Sequence, residues 1–167
     1  MQDDPAKDRP SFVDQAALTR QRTRARLDRA GFLHDEARLE LQERLLDVNR
    51  SFTHPAIVTP FCDTWAYFLP DARVVPDAAV LDLDLGAHDL VIHTMGLHWA
   101  DDPVGQIVQC RRALQPDGLF IGVMLGGDSL QELRLSLAQA EAEEMGGLSP
   151  RVAPVCRCPW PTGCRAT

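Results

Sequence analysis

Residues 88–95 read HDLVIHTM, and that stretch decides the fold class. Leu90, Val91 and Ile92 follow one another with no polar residue between them, whereas a strand with one wet face alternates apolar and polar. The run predicts a buried strand in a parallel sheet covered on both faces. Eight residues further on, Pro103 opens a helix, because proline is tolerated where the first-turn N–H has no helical acceptor. Val104, Ile107, Val108, Arg111 and Leu114 fall along one side of it. Pro116-Asp117-Gly118 is a turn, and Leu119–Leu125 (LFIGVML) reads as a second buried strand. Gly126-Gly127 breaks that strand. Asp128, with Gln131 three residues on, is expected to cap a helix running to about Met145, with Leu130, Leu133, Leu137 and Ala140 on its inner face. Strand, helix, strand, helix predicts βαβ units with right-handed crossovers, that is, an α/β doubly wound fold with a mostly parallel sheet.

Working back from residue 88, Arg73–Val75 reads as a short strand ended by Pro76 and Asp77. Phe61–Leu69 reads as a short helix stopped by Pro70, with Trp65 and Tyr67 as core aromatics. Ala56–Thr59, between Pro55 and Pro60, is a further strand. Two helices precede it. In the second, about Asp35–Arg50, Ala37, Leu41, Leu45, Val48 and Phe52 draw one apolar stripe that Leu39 and Leu46 widen. The first is expected to start at Ser11 as N-cap with Asp14 three residues on, and to run through Arg20, Arg22, Arg24, Arg26 and Arg29 to Gly31. This basic cluster reads as a solvated face balanced by Asp14 and Asp28, or alternatively as a face for a protein partner. The expected organisation is a flexible arm (1–10), a helical lid (11–54), an α/β domain (55–155) and an irregular tail (156–167).

The chain has 167 residues, 17 basic against 24 acidic, for a net charge of −7. That balance argues against a general nucleic-acid or membrane-surface binder, both of which want a basic face. No run of about 18 apolar residues is present, so no transmembrane helix is expected. The charged first thirty residues do not resemble a secretory signal, and the expectation is a cytoplasmic protein. Cys62 and Cys110 lie in apolar surroundings and read as buried thiols.

Several chemical readings fall away. His93 and His98, with Asp89, Asp101 and Asp102 nearby, lack the spacing of a metal site, and no metal is expected. No G-x-S-x-G elbow or activated cysteine is evident. Asp82 and Asp84 in LDLDLG read as a solvated strand edge or turn. Cys156, Cys158 and Cys164 offer three thiolates in no established zinc pattern.

Three segments in order carry a resemblance: DLVIHTMGLHWADDP (89–103), QCRRALQPDGLFIGVMLGGDSLQELR (109–134) and AEAEEMGGLSPRVAP (140–154). Together they resemble motifs of class I S-adenosylmethionine-dependent methyltransferases. The branch they resemble contains the malonyl-carrier-protein methyltransferase of biotin synthesis and the complex I assembly methyltransferase-like proteins, with the second the closer. LLDVNRSF at the end of the second helix is similar to that branch too. The resemblance implies a Rossmann-like methyltransferase fold, incomplete in this chain, behind two N-terminal helices. It implies S-adenosylmethionine as cofactor, with Asp77 and Ala78 beside the adenine and His93, Thr94, Met95, Gly96 and Leu97 in the loop along the methionine moiety. His98 and Asp128 are the candidates for orienting a methyl acceptor. It also implies an alternative, a non-catalytic or hydroxylase-type assembly factor for respiratory complex I. Two departures accompany it. The family's glycine-rich loop is missing, since no glycine occurs between His54 and Val75, and after Pro154 the chain reads VCRCPWPTGCRAT, expected to be a truncated or degenerate end.

Overall fold

A computed structural model describes residues 13–25, 31–126 and 129–147. The residues up to Met124 form one compact unit and those from Leu125 onward another. In the first unit the elements are α1 (Gln15–Arg24), α2 (Phe32–Val48), β1 (Pro55–Thr59), α3 (Cys62–Trp65), β2 (Arg73–Pro76), β3 (His88–Thr94), a 3-10 turn (Leu97–Trp99), α4 (Pro103–Ala113) and β4 (Leu114–Val123). The second contributes α5 (Gln131–Met145).

The four strands form one sheet in the order β2-β1-β3-β4, and every pairing is parallel. The α/β, mostly parallel architecture read from the sequence is therefore the one observed. β1 and β3 are buried along their whole length, as their unbroken apolar composition requires. Both faces are covered. On one, Ile57, Leu90 and Ile92 pack with Ala37 and Leu41 of α2 and with Trp65; on the other, Ala56, Val58, Val75 and Val91 pack with Cys110 and Ala113 of α4. Burial pushes the Cys110 thiol up to about 12, which makes it an inert packing group. Trp65 is fully buried, and its indole N–H donates to His34 Nδ1 at 3.2 Å, so the one polar group of this core aromatic is paired.

The strand order reverses between β1 and β3, whose carboxyl ends flank the switch point where open α/β sheets bind ligands. At the other end of the sheet, Asp89 anchors the entry to β1. Its carboxylate accepts from the Thr53 N–H and hydroxyl and from the His54 N–H. Burial alone raises this carboxyl, but those donors outweigh it and hold it below the ordinary carboxylate value.

Several details differ from the sequence reading. Asp14, not Ser11, caps α1, accepting from the Ala17 N–H; Ser11 lies outside the described residues, as do Arg26, Asp28 and Arg29. Tyr67, Leu39 and Leu46 are exposed. On α2 the buried residues are His34, Ala37 and Leu41, so apolar character alone misassigned Leu39 and Leu46. The expected apolar side of α4 is also turned outward. Val104, Ile107 and Val108 are exposed, and Gln106, Cys110 and Ala113 face the sheet. The reason is that Gln106 spends its amide on the Asp77 and Ala78 carbonyls and on buried His93, so a polar residue takes the inner position. Pro116-Asp117-Gly118 bends the chain inside β4: His88 pairs with Leu114 and Leu90 with Leu119, and Asp117 adopts φ +63° in the irregularity. Beyond it β4 is half-buried, not fully buried. No residue of α5 is buried, so Leu130, Leu133 and Leu137 line no inner face among the described residues. Leu130 rather than Asp128 stands at its N-cap; Asp128, like residues 1–12 and the tail 156–167, lies outside the described residues.

Candidate functional site

The site grows from the carboxyl ends of β2 and β3. β2 ends at Pro76, and Asp77 and Ala78 follow as the chain turns away. β3 ends at Thr94, then Met95 takes a left-handed backbone, φ +50°, and its N–H donates to Val123 O at 2.7 Å. A non-glycine residue held there stores roughly 1–3 kcal/mol of strain. Gly96 comes next, and its identity is steric. A Cβ on it stands 2.6 Å from Asp77 Oδ2 and 3.0 Å from His93 Cε1, closer than carbon tolerates. The β3 loop is thus pressed against the Asp77 carboxylate.

Gln106 of α4 locks the arrangement from behind. Its Nε2 donates to Asp77 O at 3.2 Å and Ala78 O at 3.0 Å, and its Oε1 lies 2.9 Å from His93 Nε2. Backbone carbonyls only accept, so the amide nitrogen must face them and the amide oxygen must accept from His93. His93 therefore carries its proton on Nε2, and Nδ1 presents a lone pair. That Nδ1 is buried with no hydrogen-bond partner in the structure. Burial lowers the His93 pKa against the opposing pulls of Gln106 and Asp77, so the ring is neutral at pH 7.

The Asp77 carboxylate faces α1. Arg22 donates Nη1 to Oδ1 and Nη2 to Oδ2, each at 2.8 Å, a bidentate pair. Asp77 is 7% exposed and Arg22 24%. At the start of the same helix, Val13 N–H and Gln15 Nε2 both donate to Asp101 at 2.9 Å. Between these two attachments lies a pocket of about 240 Å³, bounded by Leu18 and Arg22 above, Asp77 and Ala78 on one side, and Trp99 and Asp101 on the other. His98 is half-buried with its ring 5.4 Å from that of Trp99. Burial, then Arg22, lowers its pKa, and its Nδ1 also has no partner.

The residues singled out in the sequence are thus distributed as follows. Asp77 and Ala78 line the pocket, and His93 and Gly96 stand directly against Asp77. Thr94 is turned into the sheet, where its hydroxyl donates to Val58 O, and Leu97 is buried near Gly122. In the sequence Arg22 reads only as one of a basic cluster and Asp101 only within a metal grouping set aside, and Gln106 is not singled out. Nothing in the sequence couples Arg22 to a carboxylate 55 positions away, whereas a glutamine beside Cys110 and Ala113 on one helix face is a visible anomaly. Among the described residues no group of three or more His, Cys, Asp or Glu is gathered as a metal site, and no helix is long and apolar enough to cross a membrane.

A four-stranded all-parallel sheet, with a pocket beyond the carboxyl ends of β2 and β3, an acidic residue after one strand and a glycine-dependent turn after the other, defines an α/β protein of the Rossmann-like class. The particular family follows from comparison: the chain belongs to the methyltransferase domain family, which matches residues 22–122. Proteins of this family generally use S-adenosylmethionine. Among curated relatives it is similar to arginine-hydroxylase NDUFAF5, mitochondrial, of Homo sapiens, 43% identical over 86 residues, which is 52% of this chain and 25% of the relative. The Mus musculus protein of the same name is 41% identical over the same length. Malonyl-[acyl-carrier protein] O-methyltransferase of Xylella fastidiosa is 34% identical over 73 residues, 44% of this chain and 25% of that protein. The matched stretch thus spans about a quarter of the length of these relatives. No solved structure matches the chain.

Proposed function

We propose that the chain is a methyltransferase-fold protein that holds S-adenosylmethionine by its adenosine end at Asp77, for methyl transfer to an acceptor still to be found. The observation that carries this reading is the Asp77 carboxylate, anchored through its own backbone by Gln106 and abutted by Gly96 at the mouth of a pocket. A volume of about 240 Å³ lies under the roughly 300–1,000 Å³ of a complete small-molecule site, so it suits one end of a nucleoside cofactor. The residues fit that end: Asp77 accepts from an amine, Ala78 leaves room, and the half-exposed Trp99 offers an aromatic face. When bound, the cofactor supplies a methyl group whose carbon leaves the sulfonium sulfur, which keeps the bonding pair, as the acceptor's lone pair forms the new bond. The protein's part is alignment and exclusion of water rather than acid–base chemistry. His98, half-buried beside the pocket-lining Trp99, is the described candidate for orienting the acceptor, and Asp128 remains a second.

Calorimetric titration of the full chain with S-adenosylmethionine and S-adenosylhomocysteine tests this. Micromolar binding, weakened at least tenfold by Asp77→Ala, is the expected result. Silence at millimolar ligand turns the reading to the alternative, a non-catalytic or hydroxylase-type assembly factor for respiratory complex I. Two observations favour that alternative: the similarity to arginine-hydroxylase NDUFAF5, and a β1 end where Pro60 and Phe61 stand without a glycine.

A further inference from the structure

We infer that α1 is a displaceable lid over the pocket, latched by Arg22 on Asp77, so that the chain's own guanidinium competes with a ligand's amine for one carboxylate. The inference rests on the reading of Asp77 as a ligand acceptor and adds the regulation of that site. Three observations converge. First, no residue of α1 is fully buried, Ala17 and Leu18 being only half-covered, and helices with so little apolar burial sit at the low end of local stability. Second, it is tied to the body by polar contacts at both ends, Val13 and Gln15 to Asp101 and Arg22 to Asp77, with the pocket between them. Third, the latch is unequal. Arg22 is about three times as exposed as Asp77, and on release it gains water at little cost. Asp77 cannot follow, because Gln106 fixes its backbone and Gly96 packs against its side chain. A buried carboxylate left without a donor is expensive, so opening becomes favourable when an incoming donor takes the place of the guanidinium. The apparent affinity of the site is therefore reduced by the fraction of molecules in which the latch is closed.

The test uses the full chain as wild type, Arg22→Gln, Arg22→Lys and Arg20→Gln, each titrated with S-adenosylhomocysteine and followed by hydrogen exchange of the α1 amides. Gln and Lys keep helix propensity close to that of Arg, so exchange reports the latch and not the helix. Arg20 is exposed on the same helix, and its substitution removes the same charge without touching Asp77. Arg22→Gln is expected to bind about tenfold tighter than wild type, Arg22→Lys to fall between, and Arg20→Gln to match wild type. Ligand should speed α1 exchange in the wild type towards that of Arg22→Gln. Equal or weaker binding by Arg22→Gln overturns the inference. If no variant binds at all, the cofactor reading fails separately, and exchange alone decides the latch. α1 amides that exchange no faster in Arg22→Gln than in wild type overturn it, and faster exchange confined to Arg22 variants upholds it.

Discussion

Two carboxylates at opposite ends of the same sheet are satisfied in opposite ways. Asp89, at the amino end, takes its donors from Thr53 and His54, residues that lead directly into β1. Asp77, at the carboxyl end, takes both of its donors from one side chain on a helix with no fully buried residue. An acid bonded to adjoining backbone cannot be released without undoing the strand it anchors. An acid bonded to a distant, partly exposed side chain can exchange its partner while the sheet stays intact. The contrast separates a carboxylate that anchors the fold from one that is free to serve the proposed ligand.

The comparison breaks most readily at Asp89. Asp89→Ala leaves two backbone N–H groups and a hydroxyl without their acceptor and should cost about 3 kcal/mol of unfolding free energy by urea titration. A loss under about 1 kcal/mol would sink the anchor assignment. Next in size is an effect of acid. Burial lowers the pKa of His34, His93 and His98 below the ordinary 6.5, so the folded chain stays neutral at these rings while the unfolded chain takes up protons. Their stabilising contribution is complete above 6.5 and is lost as pH falls from there towards the lowered folded values. The urea midpoint should therefore drop between pH 7.5 and 5.5, with a further drop below the ordinary 3.8 as Asp89 protonates. A flat profile above pH 5.5 argues against three neutral buried rings.

Smaller again is Gly96→Ala. Its methyl meets Asp77 Oδ2 at 2.6 Å, so the carboxylate must shift and the pair with Arg22 loosens. About 1 kcal/mol of stability should go, and α1 amides should exchange faster while those of β1 do not. The smallest change in stability is expected from Asp77→Ala, under about 0.5 kcal/mol, because Arg22, on a helix with no fully buried residue, swings into water and no buried charge is left without a partner. The same substitution should have the largest effect on cofactor affinity. A fold that collapses on Asp77→Ala would erase the distinction between the two acids.

What the sequence discloses follows from how local each signal is. β3 was legible because Leu90-Val91-Ile92 is apolar without interruption, and α4 because Pro103 marks its first turn. The two-sided sheet followed from those alone. The inner face of α4 was not legible, since its central residue is a glutamine whose three partners, at Asp77, Ala78 and His93, come from two other segments. Asp77 was found through the resemblance, whereas its partner was not: Arg22 is one of three arginines in its helix, and only the folded chain distinguishes it from Arg20 or Arg24. The bend at Pro116-Asp117-Gly118 was readable as turn chemistry, yet not that pairing resumes beyond it with Leu119 opposite Leu90.

The all-parallel sheet also sets an order of assembly. No two strands can meet as a hairpin, so the earliest units available are the two consecutive crossovers, β1-α3-β2 and β3-α4-β4. They join through the pairing of Pro55–Val58 with Leu90–His93, which closes a loop of more than thirty residues before it gains anything in return. Folding should accordingly be slow for a chain of this size, with the β1–β3 seam the last part of the sheet to close.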